Sequence, residues 1–182
     1  MAVLSAFEIL AETLVPDGLL PPGASNPVII QGYWVQISVA QGYSSANFNL
    51  IFQETTDFDQ GIGKKALNAQ IIDAKGEANV YPQSSFFAST GRGFLGQTIV
   101  ANQTLIFGVQ ALPFSRGEEL AAIPQNGTGW RGTVRIEGQQ PGSLIATPTQ
   151  RLIYYRQKDT TFSDFVDATV YPVPTVSGTT QI

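Results

Sequence analysis

A chain of 182 residues with neither histidine nor cysteine has no imidazole base, no thiolate and no conventional zinc site available to it. Apolar residues make up 43% and charged residues only 13%, against a usual charged share of about 25%. Its surface must therefore be covered largely by amides and hydroxyls, and part of it is expected to be covered by another subunit. The net charge of −4 is uneven. Residues 1–63 contain Glu8, Glu12, Asp17, Glu54, Asp57 and Asp59 and no Lys or Arg, whereas 64–158 hold all ten basic groups. Pairing of these charges between strands of one domain is the simpler expectation, and head-to-tail association of acidic and basic faces is the alternative. Scattered basic residues in an acidic chain argue against nucleic-acid binding.

In residues 3–15, Val3, Phe7, Leu10 and Leu14 share a helical stripe, and Ser5 and Glu8 stand at capping-box spacing. This predicts a short amphipathic helix, with an irregular strand through Phe7, Ile9 and Ala11 as the other reading. No basic n-region precedes it, and Glu8 and Glu12 interrupt the apolar run. No run approaches the roughly 20 apolar residues that span a bilayer. The expected compartment is the cytoplasm, with no membrane contact. Pro16, Pro21, Pro22 and Pro27 then mark an extended connector, so 1–27 reads as an N-terminal segment packed on the domain.

From residue 28 to 171 strands follow one another. Tyr33, Val35 and Ile37 alternate with Trp34, Gln36 and Ser38, and Phe48, Leu50 and Phe52 with Asn49, Ile51 and Gln53. Further runs fall at 67–71, near Val80, and at 97–101, 104–112, 130–136, 143–147, 151–155 and 165–171. Period-two alternation between Gly, Asn, Asp and Pro breaks predicts an all-β fold. About nine or ten short strands in one domain suggest a single antiparallel β-sandwich of jelly-roll or Greek-key type. Residues 172–182 read as an extended or disordered tail.

Few motifs carry chemistry. Gly91-Arg92-Gly93-Phe94-Leu95-Gly96 has dinucleotide-binding spacing, but strand formers follow it where a helix is required, so it reads as a Gly-rich turn and no cofactor is expected. Asp57 and Asp59, ahead of Gly61 and Gly63, are the best metal candidates, although Lys64 and Lys65 oppose a cation and a hairpin loop is the simpler reading. The near pairs Asp57/Asp59, Glu118/Glu119 and Asp164/Asp167 are the carboxylates left for a hydrolase, and no sequence motif accompanies them.

Aromatic and arginine side chains offer a surface instead. Trp34, Tyr43, Trp130 and Tyr155 could anchor a protein interface or stack on sugars. Arg131 and Arg135 alternate with apolar residues, and Arg151 could join them in a row that receives an acidic partner or a carboxylate. The sequence therefore predicts a non-catalytic binding or assembly module that acts through protein–protein interaction and forms a homo-oligomer. A carbohydrate-binding module is the runner-up, and a carboxylate-dependent hydrolase ranks third.

Overall fold

The computed structural model describes residues 2–16, 18–57, 67–72, 76–82, 92–111, 128–158 and 161–182. Among them every regular element is a strand: β1 (Ala2–Thr13), β2 (Pro27–Val39), β3 (Ser45–Asp57), β4 (Leu67–Ile72), β5 (Ala78–Pro82), β6 (Arg92–Val100), β7 (Thr104–Ala111), β8 (Thr128–Glu137), β9 (Leu144–Lys158) and β10 (Thr161–Pro172). All pairings are antiparallel and join in one sheet, ordered β5-β4-β7-β2-β1-β8-β3-β6, with β9 on β2 and β10 on β9. No helix of the described residues is long and apolar enough to cross a membrane.

The sheet forks along β2. One edge of β2 pairs with β9 from Pro27 to Val39. The other edge is shared, Val28–Gln31 with β1 and Gly32–Ser38 with β7. Beyond the fork the pairings nest, β1 with β8, β2 with β7, β3 with β6 and β4 with β5. The rings of Phe7, Tyr33, Phe52 and Phe107 then decide the shape. Phe52 on β3 lies 5.1 Å from Phe107 on β7, centroid to centroid. Because β1 and β7 leave the same edge of β2, the strands that follow each of them, β8 and β3 on one side and β4 on the other, cannot continue in one plane. The sheet therefore curls until its two wings meet. Phe7 and Tyr33 complete the contact, 5.2 and 5.7 Å from Phe52. Around these rings pack Leu4, Ile9, Val35, Ile37, Leu50, Val109, Val134 and Ile136.

The N-terminal segment is a strand and not the predicted helix. The register of β1 shifts between Val3 and Ser5, a β-bulge. The bulge turns Leu4 inward ahead of Phe7 and Ile9, all buried, while Val3 is 41% and Leu14 47% exposed. Val3 and Leu14, the two ends of the predicted helical stripe, thus fall on the exposed side, and the stripe is not a buried face. The apparent capping box is also differently employed. The Ser5 hydroxyl meets the Tyr33 hydroxyl at 2.6 Å in the core, and Glu8 faces Arg131.

The two short runs expected at 143–147 and 151–155 are one strand, β9, running through Pro148. In an antiparallel strand a residue's N–H and C=O point to the same edge. Leu144 and Ala146 donate outward to Ile182 and Thr180, and Pro148 accepts from Val173 on that same edge. Pro148 thus stands where the outer edge of β9 passes from the C-terminal residues to β10, and its missing N–H breaks no bond to β2. Residues 173–182 return along the sheet in this way, with Ile182 against the core and the Val176 amide on the Leu4 carbonyl.

The glycine-rich run at 92–96 belongs to β6, paired with Asn49–Gln53 of β3, so it is strand and not the turn its composition suggested.

Candidate functional site

A glycine in the middle of the sheet, Gly108, seats an aromatic ring on its outer face. Alternation along β2 sends Tyr33, Val35 and Ile37 into the core and Trp34 outward. Trp34 stands opposite Gly108 on β7 and Thr149 on β9. Its ring lies flat on Gly108, where a Cβ would sit 2.1 Å from a ring carbon. On β9, Arg151 pairs with Gly32, which has no side chain to oppose it. Its guanidinium carbon rests 4.2 Å from the Trp34 ring centroid, a cation–π stack. Although it faces outward, Trp34 is only 5% exposed. The Trp34 Nε1 and the Arg151 Nε are both buried without a hydrogen-bond partner. Burial also pulls the Arg151 guanidinium below its ordinary value, since a low-dielectric surround disfavours the charged form.

Arg131 and Arg135 occupy β8 and have carboxylates beside them. Arg131 reaches Glu8 of β1 at 2.5 Å through both Nε and a terminal nitrogen. Arg135 lies 4.0 Å from Glu137, two residues along the same strand. Glu8 belongs to the acid-only first third and Arg131 to the basic middle, so this pair matches the in-domain reading of the charge asymmetry. Arg151 does not join the row. In the sheet β9 is three strands from β8, across β2 and β1.

The remaining predicted residues are dispersed. Tyr43 lies between β2 and β3, and its hydroxyl donates to the Pro141 carbonyl at 3.1 Å, stitching two turns together. Tyr155 stands opposite Val28 and packs half-buried against the core. Trp130 sits on β8 opposite Ile9 and Asp57, but its side chain and that of Asp57 lie outside the described residues. So do Asp59, Glu118 and Glu119. No group of three or more potential metal ligands occurs among the described residues.

Two arrangements had no sequence signal. The side-chain amides of Gln31 and Gln150 both donate to the Glu8 carbonyl, and the Tyr171 hydroxyl donates to Gln150 at 2.5 Å. They seal the edge of β1 where the sheet forks. Burial, then the nearby Glu8 and Tyr154, push the Tyr171 phenol up. A shallow cleft of about 430 Å³ opens over β3 and β6, lined by Asn47, Asn49, Gly96, Gln97 and Thr98 with Gly138 at its rim. Its lining carries no charge, and Thr98 donates to Asn47 at 2.6 Å. Outward alternation of Asn47 and Asn49 was legible, but their convergence with Thr98 depends on the β3–β6 register.

Comparison with protein-family models, with curated proteins and with solved structures returns no match. The reading of function therefore rests on the geometry of this chain alone.

Proposed function

We propose that the chain is a non-catalytic assembly module that associates with copies of itself through β10. One observation carries this reading. Residues 167–172 of β10 are all exposed, including Val170 at 59% and Tyr171 at 39%, and among the described residues β10 pairs with β9 alone. A strand exposed on both faces and along its outer edge is a template for strand addition. A second β10, antiparallel about a two-fold axis, would satisfy that edge with no other partner. The sparse surface charge favours contact over repulsion.

The fold proposed for this module is a jelly-roll sandwich. Its support is the nesting of β1–β8, β2–β7, β3–β6 and β4–β5, cross-linked by β3–β8 and β4–β7. That scheme divides the strands into two four-stranded sets, β1-β8-β3-β6 and β2-β7-β4-β5, with the β9–β10 hairpin appended to β2. A cytoplasmic location fits a chain without cysteine.

Sedimentation velocity across a concentration series tests the assembly reading. A mass above 19.6 kDa that falls on dilution is expected. Val170→Glu should shift the distribution to monomer without lowering the melting temperature, because the side chain is already in solvent. A wild-type monomer at every concentration refutes the proposal.

A second reading, carbohydrate binding, draws its support from the amide cleft over β3 and β6. Trp34 does not serve it, since its ring is buried between Arg151 and Gly108. A glycan panel monitored by amide shifts at Asn47 and Asn49 tests it, and no shift at those residues removes it.

A further inference from the structure

Arg151 differs from the other two described arginines that the sequence singled out. Arg131 and Arg135 each have a glutamate beside them. Among the described residues no carboxylate lies within ion-pair distance of Arg151, whose contact is the Trp34 ring. The register places it between Gly32 of β2 and Val170 of β10, and although Gln110 of β7 reaches over Gly32, the Arg151 Nε has no hydrogen-bond partner. Guanidinium has five N–H donors and no acceptor. Holding it half-buried against an apolar ring withdraws water from those donors without replacing the lost hydrogen bonds, which costs stability. The buried Trp34 Nε1 adds a second unpartnered donor in the same stack.

We propose that the Arg151–Trp34 stack is a receptor site for one carboxylate group. A planar guanidinium fork matches a carboxylate in two parallel hydrogen bonds, and stacking on an aromatic ring fixes its plane before the ligand arrives. Gly108 creates the seat by letting the indole lie flat, while the space above Gly32 is taken by the Gln110 side chain from β7. One unpaired cation balances one negative charge, so a monoanionic carboxylate fits better than a phosphate dianion. The carboxylate can come from a small organic acid or from an Asp or Glu side chain of a polypeptide. The site does not depend on self-association through β10.

Titration followed by ¹H–¹⁵N spectra of the intact chain tests the assignment. The chain has two tryptophans, so it gives two indole N–H signals, and Trp34→Phe identifies the relevant one by its loss. Sodium acetate and a glutamate-containing peptide are compared with sodium chloride and sodium sulfate at matched ionic strength. A saturable shift of the Trp34 Nε1–H and the Arg151 Nε–H with acetate, the peptide or both is expected. Acetate alone indicates a small acid as the source, and the peptide alone indicates a polypeptide. Arg151→Lys keeps the charge but loses the fork, and it should abolish saturation while its melting temperature and other amide shifts stay near wild type. Equal shifts with chloride or sulfate, or undiminished saturation in Arg151→Lys, overturn the proposal.

Discussion

The Ser5–Tyr33 pair offers the sharpest test of how this core is held. Both hydroxyls are buried, Tyr33 fully and Ser5 to within 1%, and they meet at 2.6 Å between β1 and β2. Tyr33→Phe preserves the ring that packs on Phe7 and Phe52 but leaves the Ser5 hydroxyl without its partner. An orphaned buried polar group costs about 1–3 kcal/mol, more than the ~1 kcal/mol net worth of a typical hydrogen bond. Ser5→Ala should cost a similar amount by orphaning the Tyr33 phenol. The double variant has no orphan, so it should be more stable than the sum of the single losses predicts, by roughly 1–2 kcal/mol of coupling.

The same phenol has a signature in alkali. Burial raises its pKa, and the bond to Ser5 only partly opposes this. Its folded value therefore lies above the unfolded value of 10.0. Below pH 10 the group stays protonated in both states and its contribution is fully present. As pH rises past 10, ionisation favours the unfolded chain, and stability falls by up to about 1.4 kcal/mol per pH unit from this residue. Urea unfolding followed by tryptophan fluorescence, repeated between pH 8 and pH 11, measures both effects. Additive single variants, or an unchanged alkaline slope in Tyr33→Phe, would refute the reasoning.

Other expectations concern packing and charge. Phe52→Ala removes the ring that touches Phe7, Tyr33 and Phe107 and should cost about 3–5 kcal/mol in urea unfolding; a loss below about 1 kcal/mol would mean the wings do not meet there. Gly132→Ala places a Cβ 2.0 Å from the Gln53 carbonyl oxygen and 2.8 Å from the Phe7 ring, so it must part β3 from β8 at a cost of about 3 kcal/mol. In Gly108→Ala the three atoms nearest the added Cβ all belong to the Trp34 ring; it should unseat that ring at a cost of about 1–3 kcal/mol and change Trp34 fluorescence, and unchanged fluorescence would contradict the geometry. With no histidine in the chain, only the α-amino group ordinarily titrates between about pH 5.5 and 8.5, so the melting temperature should be nearly flat there, and a large sigmoidal step in that window would contradict the expectation.

Much of the fold was legible because a half-buried strand writes its two faces into alternate residues. Tyr33, Val35 and Ile37 against Trp34, Gln36 and Ser38 gave both the strand β2 and its inward face. The pattern failed where the strands depart from regularity. In β1 a bulge at Leu4 breaks the strand alternation, and the chance spacing of Val3, Phe7, Leu10 and Leu14 read as a helix instead. In β9 the proline at 148 split one strand into two, because local rules do not show which edge its missing N–H will face.

The candidate site was less legible still. Trp34 and Arg151 were each identifiable as outward aromatic and basic residues, 117 positions apart in the chain. Nothing local shows that β2 and β9 pair, or that Gly108 clears the space for the Trp34 ring. Arg131 and Arg151 looked like members of one row, and strand order separates them.

Composition and periodicity by themselves determined that this chain has no imidazole or thiolate chemistry, that its elements from residue 28 onward are strands, and which of residues 33–37 and 48–52 face the core. These are properties of side-chain chemistry and of backbone geometry over two to ten residues. Strand order, register and the curl of the sheet decided which arginines found carboxylates and which one was left on a tryptophan. Such pairings join residues distant in sequence, and their energies exist only once the whole sheet has closed around Phe7, Tyr33, Phe52 and Phe107.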